Sequence, residues 1–267
     1  MGSVWFVGAG PGHPDLITVR GRDLLAQAGA VLYAGSLVSE AHMAFCPPAC
    51  LVADSSGMTL EAMNAWLLEQ SGRHETVVRL QTGDPSLYGA LAEMAAPLLE
   101  AGVEVRSVPG VSSAMASAAA ALETLTLPEI TQTVILTRTE GRTPMPYGER
   151  LRDLARHRAT LCIYLSATLM SKVADELRGA GWPNSSPILV VHKASWPGEE
   201  RILRSTVGTF AALCREEGIR SQTMIIASPA LDATRCENTP KSLLYDASFS
   251  HEYRQAATAP HAESSDG

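Results

Sequence analysis

Residues 4–17 read VWFVGAGPGHPDLI, an apolar run that passes directly into a turn of glycines and prolines. A buried strand that ends in a turn with few side chains can bring a cofactor close to the backbone. The dinucleotide-binding fingerprint has the order G-x-G-x-x-G. Gly8 and Gly10 fit it, but His13 stands in the third position, and two prolines in the turn remove N–H groups that a phosphate would need. A structural turn and a site for a cofactor bound without phosphate contacts are therefore favoured over a phosphate site.

Length and composition are typical of a well-cored globular protein. The chain has 267 residues, 46% of them hydrophobic and 18% charged, which is enough for one large domain or two ordinary ones. Its net charge of −7 argues against general nucleic-acid binding, which needs a basic face. The sequence contains neither a signal-peptide pattern nor an apolar run near the roughly 20 residues of a membrane-spanning helix. We expect a cytoplasmic protein without a nucleic-acid or membrane partner.

The cysteines support the same compartment. Cys46 and Cys50 have C-x3-C spacing, but no second pair with metal-ligand spacing accompanies them, so no structural zinc site is expected. Cys162 and Cys214 lie in apolar patterns and are predicted to be buried free thiols, as is usual in a reducing environment.

The order of the apolar runs predicts an α/β fold. Residues 41–58 are predicted to be irregular, and Pro97 should kink or shorten its helix. Because the strand–helix pattern restarts at residue 134, we expect two α/β domains, 1–112 and 113–247, followed by a disordered tail at 248–267. Strands are predicted at 4–7, 30–33, 77–80, 103–108, 134–137, 160–165, 188–192, 201–206 and 223–228, and helices at 16–28, from 60 onward, and at 87–98, 112–122, 149–157, 171–179 and 208–217.

Three polar segments follow predicted strands, where open α/β sheets bind ligands. Asp84, in the segment TGDP at 82–85, is either a helix N-cap or a carboxylate that faces a cationic ligand. Arg138 and Arg142 lie on a loop with glycine and proline, which is either a solvated surface or a site for an acidic substrate. The run HKAS at 192–195 is a comparable candidate.

Taken together, three segments resemble the tetrapyrrole methylases, enzymes of cobalamin and sirohaem synthesis that use S-adenosylmethionine. These are VGAGPGHPDLIT at 7–18, TGDPSLYG at 82–89 and VPGVSS at 108–113. Four further segments resemble the branch of that family that methylates C-11 of precorrin-4: LYAGSLV at 32–38, LTLPE at 125–129, QTVILTR at 132–138 and GRTPMP at 141–146. The resemblance covers roughly residues 4–246. One departure is His13, where the family usually has an acidic residue.

The resemblance implies a homodimer of chains with two α/β domains and mixed sheets, and a cleft for S-adenosylmethionine between the domains. It implies no metal cofactor. Carried over residue by residue, the methyl donor is expected to contact Pro11, Gly83, Asp84, Leu87, Ser112, Ser113, Leu165 and Ala194. Arg138 and Arg142 are expected to bind the carboxylates of a precorrin, with Tyr33 and Ser36 as further substrate contacts.

The mechanism implied is direct transfer of an activated methyl group to a carbon of an electron-rich macrocycle. Catalysis would come mainly from positioning, which can reach effective molarities of about 10⁵–10⁸ M, and no catalytic residue or general base is assigned. Alternatives remain open: another precorrin position, the cobalt-containing form of the same substrate, or a non-catalytic binding module. A nicotinamide-dependent oxidoreductase is disfavoured because the third glycine and an acidic residue after the second strand are missing.

Overall fold

The computed structural model describes residues 1–235 and 239–255, which form two α/β units, each built around a five-stranded sheet. The strands are β1 (Ser3–Gly8), β2 (Ala30–Tyr33), β3 (Leu51–Asp54), β4 (Thr76–Gln81), β5 (Glu104–Val108), β6 (Val134–Arg138), β7 (Thr160–Tyr164), β8 (Pro187–His192), β9 (Arg201–Thr206) and β10 (Thr223–Ala227). The helices are α1 (Val19–Leu25), α2 (Leu60–Ser71), α3 (Leu91–Glu100), α4 (Ser113–Ala120), α5 (Leu151–Ala155), α6 (Met170–Gly179) and α7 (Phe210–Glu216).

The first sheet has the strand order β3-β2-β4-β1-β5, and all of its pairings are parallel. Strands buried on both faces need continuous apolar sequence, which the central strands provide. On one face Val7, Val31 and Leu80 pack with Leu25 of α1. On the other, apolar side chains of the same strands pack against α2 and α3. Since the strands are parallel, the loops that follow β1, β2, β4 and β5 all leave the sheet at one edge.

The second sheet is mixed, with the order β6-β7-β10-β8-β9. Strands β6 and β7 pair in parallel and the remaining pairs are antiparallel. Helices α5, α6 and α7 cover one face. The alanine-rich helix α4 covers the other, where Ala114, Ala116 and Ala118 contact buried side chains of β7, β8 and β10. The two-domain α/β fold expected from the sequence is confirmed.

Several predicted element boundaries are wrong. The segment predicted to be irregular, 41–58, contains strand β3, which pairs with β2 at the sheet edge and is mostly exposed there, so its apolar pattern is weak. The predicted helix 16–28 is a 3₁₀ turn at Pro14–Leu16 followed by α1, which Thr18 caps at the backbone N–H of Gly21. The helix predicted from residue 87 begins only at Leu91, with Pro97 inside it.

Residues 248–255 of the predicted tail form turns around Arg254, whose guanidinium donates to the carbonyls of Leu244 and Asp246. Residues 256–267 lie outside the described part of the chain. Cys162 and Cys214 are buried free thiols, as predicted. Across 1–235 and 239–255, each helix is too short or too polar to cross a lipid bilayer.

Three loops of the first sheet meet through their glycines. The backbone N–H of Gly83 donates to Gly10 O at 2.8 Å, which ties the loop after β4 to the loop after β1. The loop after β5 approaches still closer, since a Cβ atom built on Gly110 would lie 2.0 Å from Gly83 O and 2.8 Å from Gly8 Cα. Only glycine allows this contact, because real Cβ atoms never come so near to backbone.

Replacing Gly110 with alanine should therefore force the three loops apart. We expect Gly110→Ala to lower the free energy of unfolding by about 2 kcal/mol or more, since overpacked backbone cannot relax easily. Urea denaturation of both proteins measures this. Gly57→Ala is the matched control, because a Cβ there would meet no atom within 4 Å. Equal stability of the two variants would contradict the close contact.

Candidate active site

Asp84 holds the loop after β4 against the loop after β5. Its Oδ2 accepts a hydrogen bond from the backbone N–H of Gly110 at 2.9 Å, and its Oδ1 accepts from the backbone N–H of Ser86 at 2.8 Å and from the Ser86 hydroxyl. Burial raises the pKa of Asp84, but these hydrogen bonds outweigh it, so the pKa lies below its ordinary value. The carboxylate is therefore ionised at neutral pH. The N-cap interpretation is wrong, since the N-cap of α3 is Ala90.

The loop between Asp84 and α3 has an unusual backbone. Tyr88 and Ala90 are left-handed, with φ of 57° and 50°, and the Gln81 side-chain amide donates to Gly89 O. Such conformations are costly for non-glycine residues and are kept only where surrounding contacts impose them. The left-handed residues interrupt the helical backbone, so α3 begins only at Leu91 although the apolar pattern starts at residue 87.

The second domain closes the site from the opposite side. Leu165 follows β7 with a φ of 52°, and the residue is 63% exposed. The Tyr164 hydroxyl hydrogen-bonds with the Ser112 hydroxyl at 2.6 Å, and the Tyr164 ring lies 5.5 Å from that of Tyr88. The ring contact with Tyr88 thus joins the end of β7 to the first domain, and the Ser112 hydrogen bond ties β7 to the N-terminus of α4.

Two adjoining cavities lie between the domains. The first, here the Pro11 cavity, encloses about 720 Å³ including its open mouth, and the second, the Asp84 cavity, encloses about 840 Å³. They share a wall formed by Leu37, Thr82, Ser113, Tyr164 and Leu165.

The residues expected to contact the methyl donor all line these cavities. Pro11 and Ala194 line the Pro11 cavity, Ser113 and Leu165 line both, and the Asp84 cavity adds Gly83, Asp84, Leu87 and Ser112. Eight residues from two domains therefore line two adjoining cavities.

The four residues expected to bind substrate are more scattered. Tyr33 is buried in the core beside α1, and its hydroxyl hydrogen-bonds with Glu40 at 3.3 Å. Ser36 is exposed, and its carbonyl accepts from the Gln222 amide at 2.8 Å, across the domain boundary.

Arg138 is the last residue of β6, beside Tyr164 of β7, and Arg142 lies on the loop that follows β6. Arg138 lines a third, open cavity beside Tyr88, and its guanidinium donates to Thr143 O at 3.3 Å and Pro144 O at 2.8 Å. It thereby fixes the loop at 139–146, on which Arg142 is exposed.

Arg79, in the middle of β4, is a site residue that the sequence reasoning missed. It is only 5% exposed, lines the Asp84 cavity, and donates to the Ser55 hydroxyl at 2.9 Å. Burial lowers the pKa of Arg79 to about 10, although nearby Asp54 raises it, so the side chain is charged at neutral pH. Its signal in the sequence is a lone charge within the buried run VVRLQ at 77–81.

Three buried polar atoms at the cavity walls have no hydrogen-bond partner among the described residues. They are Arg79 Nε and Gln81 Oε1 at the Asp84 cavity, and Ser117 Oγ at the Pro11 cavity. Because buried polar groups are nearly always paired, these atoms are available to a polar ligand in the cavities.

Comparison with known proteins agrees with this geometry. The sequence model of the tetrapyrrole (corrin/porphyrin) methylases matches residues 3–211. The cobalt-precorrin-4 C(11)-methyltransferase of Priestia megaterium is 48% identical, over 94% of this chain and 97% of that protein. The precorrin-4 C(11)-methyltransferase of Pseudomonas aeruginosa is 42% identical, over 94% of this chain and 98% of that protein.

The solved structure of a cobalt precorrin-4 methyltransferase superposes with a TM-score of 0.83 at 50% identity, covering 86% of this chain and 96% of that one. Both the match to the family model and the identity to these relatives extend over most of the chain. The chain therefore belongs to the family of tetrapyrrole (corrin/porphyrin) methylases.

Proposed function

We propose that the protein is an S-adenosylmethionine-dependent methyltransferase that methylates C-11 of precorrin-4 in cobalamin biosynthesis. The observation that carries the proposal is the convergence of all eight expected methyl-donor contacts on two adjoining cavities between the domains. The relatives of 42–48% identity, which are named for this reaction, support the same position on the macrocycle. Since the more similar of these two relatives is named for the cobalt-containing substrate, cobalt-precorrin-4 is a second candidate beside the metal-free compound.

The cavity residues fit the methyl donor. Its flat adenine suits the apolar walls formed by Leu37, Leu87 and Leu165. Its polar groups match the unpartnered atoms Ser117 Oγ and Gln81 Oε1, which can exchange hydrogen bonds with a hydroxyl or an ammonium group. When bound, S-adenosylmethionine supplies a methyl group that its sulfonium has already activated for transfer to carbon.

The task of this chain is to position the reactants and to exclude water. The glycine-containing loops after β1, β4 and β5 let a ligand approach the backbone. Asp84 holds the loops after β4 and β5 together through its hydrogen bond with Gly110. Burial raises the pKa of Tyr164 more than the Ser112 hydrogen bond lowers it, so its phenol is neutral at physiological pH. Tyr164 therefore acts as a hydrogen-bonding wall of the cleft and not as a base, and the proposal includes no dedicated general base.

The carboxylates of the tetrapyrrole require cationic partners. Arg142 is exposed on the loop at 139–146, which borders the third cavity. Arg138 holds that loop through hydrogen bonds to the backbone carbonyls of Thr143 and Pro144. Arg79 offers a second, buried cation with a free Nε at the Asp84 cavity. Ser36, which is exposed where its carbonyl meets Gln222, stays a proposed substrate contact, whereas the hydroxyl of Tyr33 is engaged by Glu40. The proposal further includes that the protein forms a homodimer, that its two domains divide near residue 112, and that it acts in the cytoplasm.

The reaction itself is the direct test. The protein is incubated with S-adenosylmethionine carrying a ¹³C-methyl group and with either precorrin-4 or cobalt-precorrin-4. We expect NMR to locate the label at C-11, and S-adenosylhomocysteine to inhibit its transfer by competition. Label at any other macrocycle carbon would contradict the assigned position, and comparison of kcat/KM for the two substrates shows which form is used.

The role of the 139–146 loop is tested by Arg138→Gln, which removes the charged hydrogen bonds to Thr143 and Pro144. We expect the KM for the tetrapyrrole to rise about tenfold, since hydrogen bonds from a charged group contribute roughly 1.5–3 kcal/mol. The KM for S-adenosylmethionine should not change. Arg156→Gln is the matched control, because Arg156 lies on the surface beside Asp153. Unchanged tetrapyrrole binding and turnover in Arg138→Gln would show that the loop has no part in substrate recognition.

A further inference from the structure

A short segment of the second domain reaches across the cleft to the turn after β1. This segment, residues 193–200, is here called the strap. The indole N–H of Trp196 donates to Pro11 O at 3.2 Å, and the backbone N–H of His13 donates to the Ser195 hydroxyl at 3.1 Å. These hydrogen bonds join residues more than 180 positions apart in the chain.

The indole lies directly on the backbone of Gly12. A Cβ atom at Gly12 would lie 2.3 Å from Trp196 Cδ1 and 3.0 Å from Ala194 O. No side chain fits between the turn and the strap, so glycine at position 12 and tryptophan at position 196 form a matched pair. The sequence alone places this glycine only in the turn after the first strand and in the family segment at 7–18.

The strap is held in this shape by its own contacts. Lys193 and Ser195 are left-handed, with φ of 49° and 65°. The Lys193 ammonium lies 5.1 Å from the centre of the indole ring and forms an ion pair with Glu199. A cation over an indole face and two fixed left-handed residues make the strap a preformed element.

Its position connects the strap to the methyl-donor site. Pro11, Ala194 and Trp196 all line the Pro11 cavity, so the Trp196 hydrogen bond ties one wall of that cavity to the other. The side chain of Trp196 is absent from the lining of the Asp84 cavity and of the third cavity, which are formed by other residues.

The geometry points to Trp196 as a positioning residue that, through Pro11 and Gly12, sets the width of the Pro11 cavity and so the affinity for the methyl donor. This inference rests on the proposed function, because it concerns the same cleft. It assigns to Trp196 no contact with the transferred methyl group. The contact of Trp196 with Pro11 and Gly12 is here called the latch. Loss of the latch should therefore weaken binding of the methyl donor and leave the KM for the tetrapyrrole unchanged.

The first test compares three proteins by calorimetric titration with S-adenosylhomocysteine and by steady-state kinetics. Trp196→Phe keeps an aromatic ring but loses the N–H donor, and a net loss of one hydrogen bond corresponds to about threefold to tenfold weaker binding. We expect that rise in Kd and in the KM for S-adenosylmethionine, with kcat changed less than twofold. Trp182→Phe is the matched control, because the Trp182 indole donates to Ala155 O at 2.8 Å and carries Arg158 over its ring, but is buried in the second domain's core. It should bind S-adenosylhomocysteine as the wild type does.

The second test is a double-mutant cycle on the matched pair. Gly12→Ala alone should weaken S-adenosylhomocysteine binding at least tenfold, because the new methyl group collides with the indole. In a Trp196→Ala background the same change should cost less than threefold, since the two shortest contacts are gone and only the one with Ala194 O, at 3.0 Å, remains. Equal costs in the two backgrounds, or a Trp196→Phe variant that binds like the wild type, would overturn the latch while leaving the proposed function standing. A wild-type protein that does not bind S-adenosylhomocysteine would overturn both.

Discussion

The site depends on one backbone contact, the close approach of Gly8, Gly83 and Gly110 at the carboxyl edge of the first sheet. Parallel strands deliver these three loops to the same edge, and the absence of side chains lets them touch. The Asp84 carboxylate then fixes the contact by accepting from the Gly110 N–H. Because hydrogen bonds hold its pKa below the ordinary value, this clamp remains charged throughout the neutral range and weakens only as acid protonates it. Everything placed in the cleft is positioned relative to this junction.

The same junction explains why a loop so close to a nucleotide fingerprint does not act as one. A phosphate cradle requires free N–H groups that point at the ligand. Here the N–H of Gly10 faces Gly83 O, and that of His13 donates to the Ser195 hydroxyl. Proline at position 11 has no N–H to offer, and its carbonyl accepts from Trp196. These polar groups are thus committed to the protein, and what the turn mainly provides to a ligand is shape.

The sequence predicts the buried strands of this fold better than the exposed strand at the sheet edge. Apolar runs such as 77–80 give the buried strands directly, whereas β3 was missed because it lies exposed at the sheet edge. The late start of α3 could not be read from the apolar pattern, since that pattern does not show that Tyr88 and Ala90 are left-handed. The family resemblance supplied residues that line the cleft, but the pairing of Gly12 with Trp196 is visible only when both domains are in place. Arg79 was not predicted as a site residue, because it is the one charged residue in an apolar run that predicts a buried strand.

Backbone strain is concentrated where the two domains face each other. Of the ten described non-glycine residues with positive φ, five line the two cavities: Tyr88, Ala90, Leu165, Lys193 and Gln222. Each such conformation costs about 1–3 kcal/mol and persists only where surrounding structure imposes it. In the first domain the strained loop presents Tyr88 to Tyr164, and in the second the strained strand ends present Leu165 and the strap to the first domain. A site that works mainly by positioning needs walls that do not relax around each ligand, so part of the stability supplied by the two apolar cores is used to hold these walls in place.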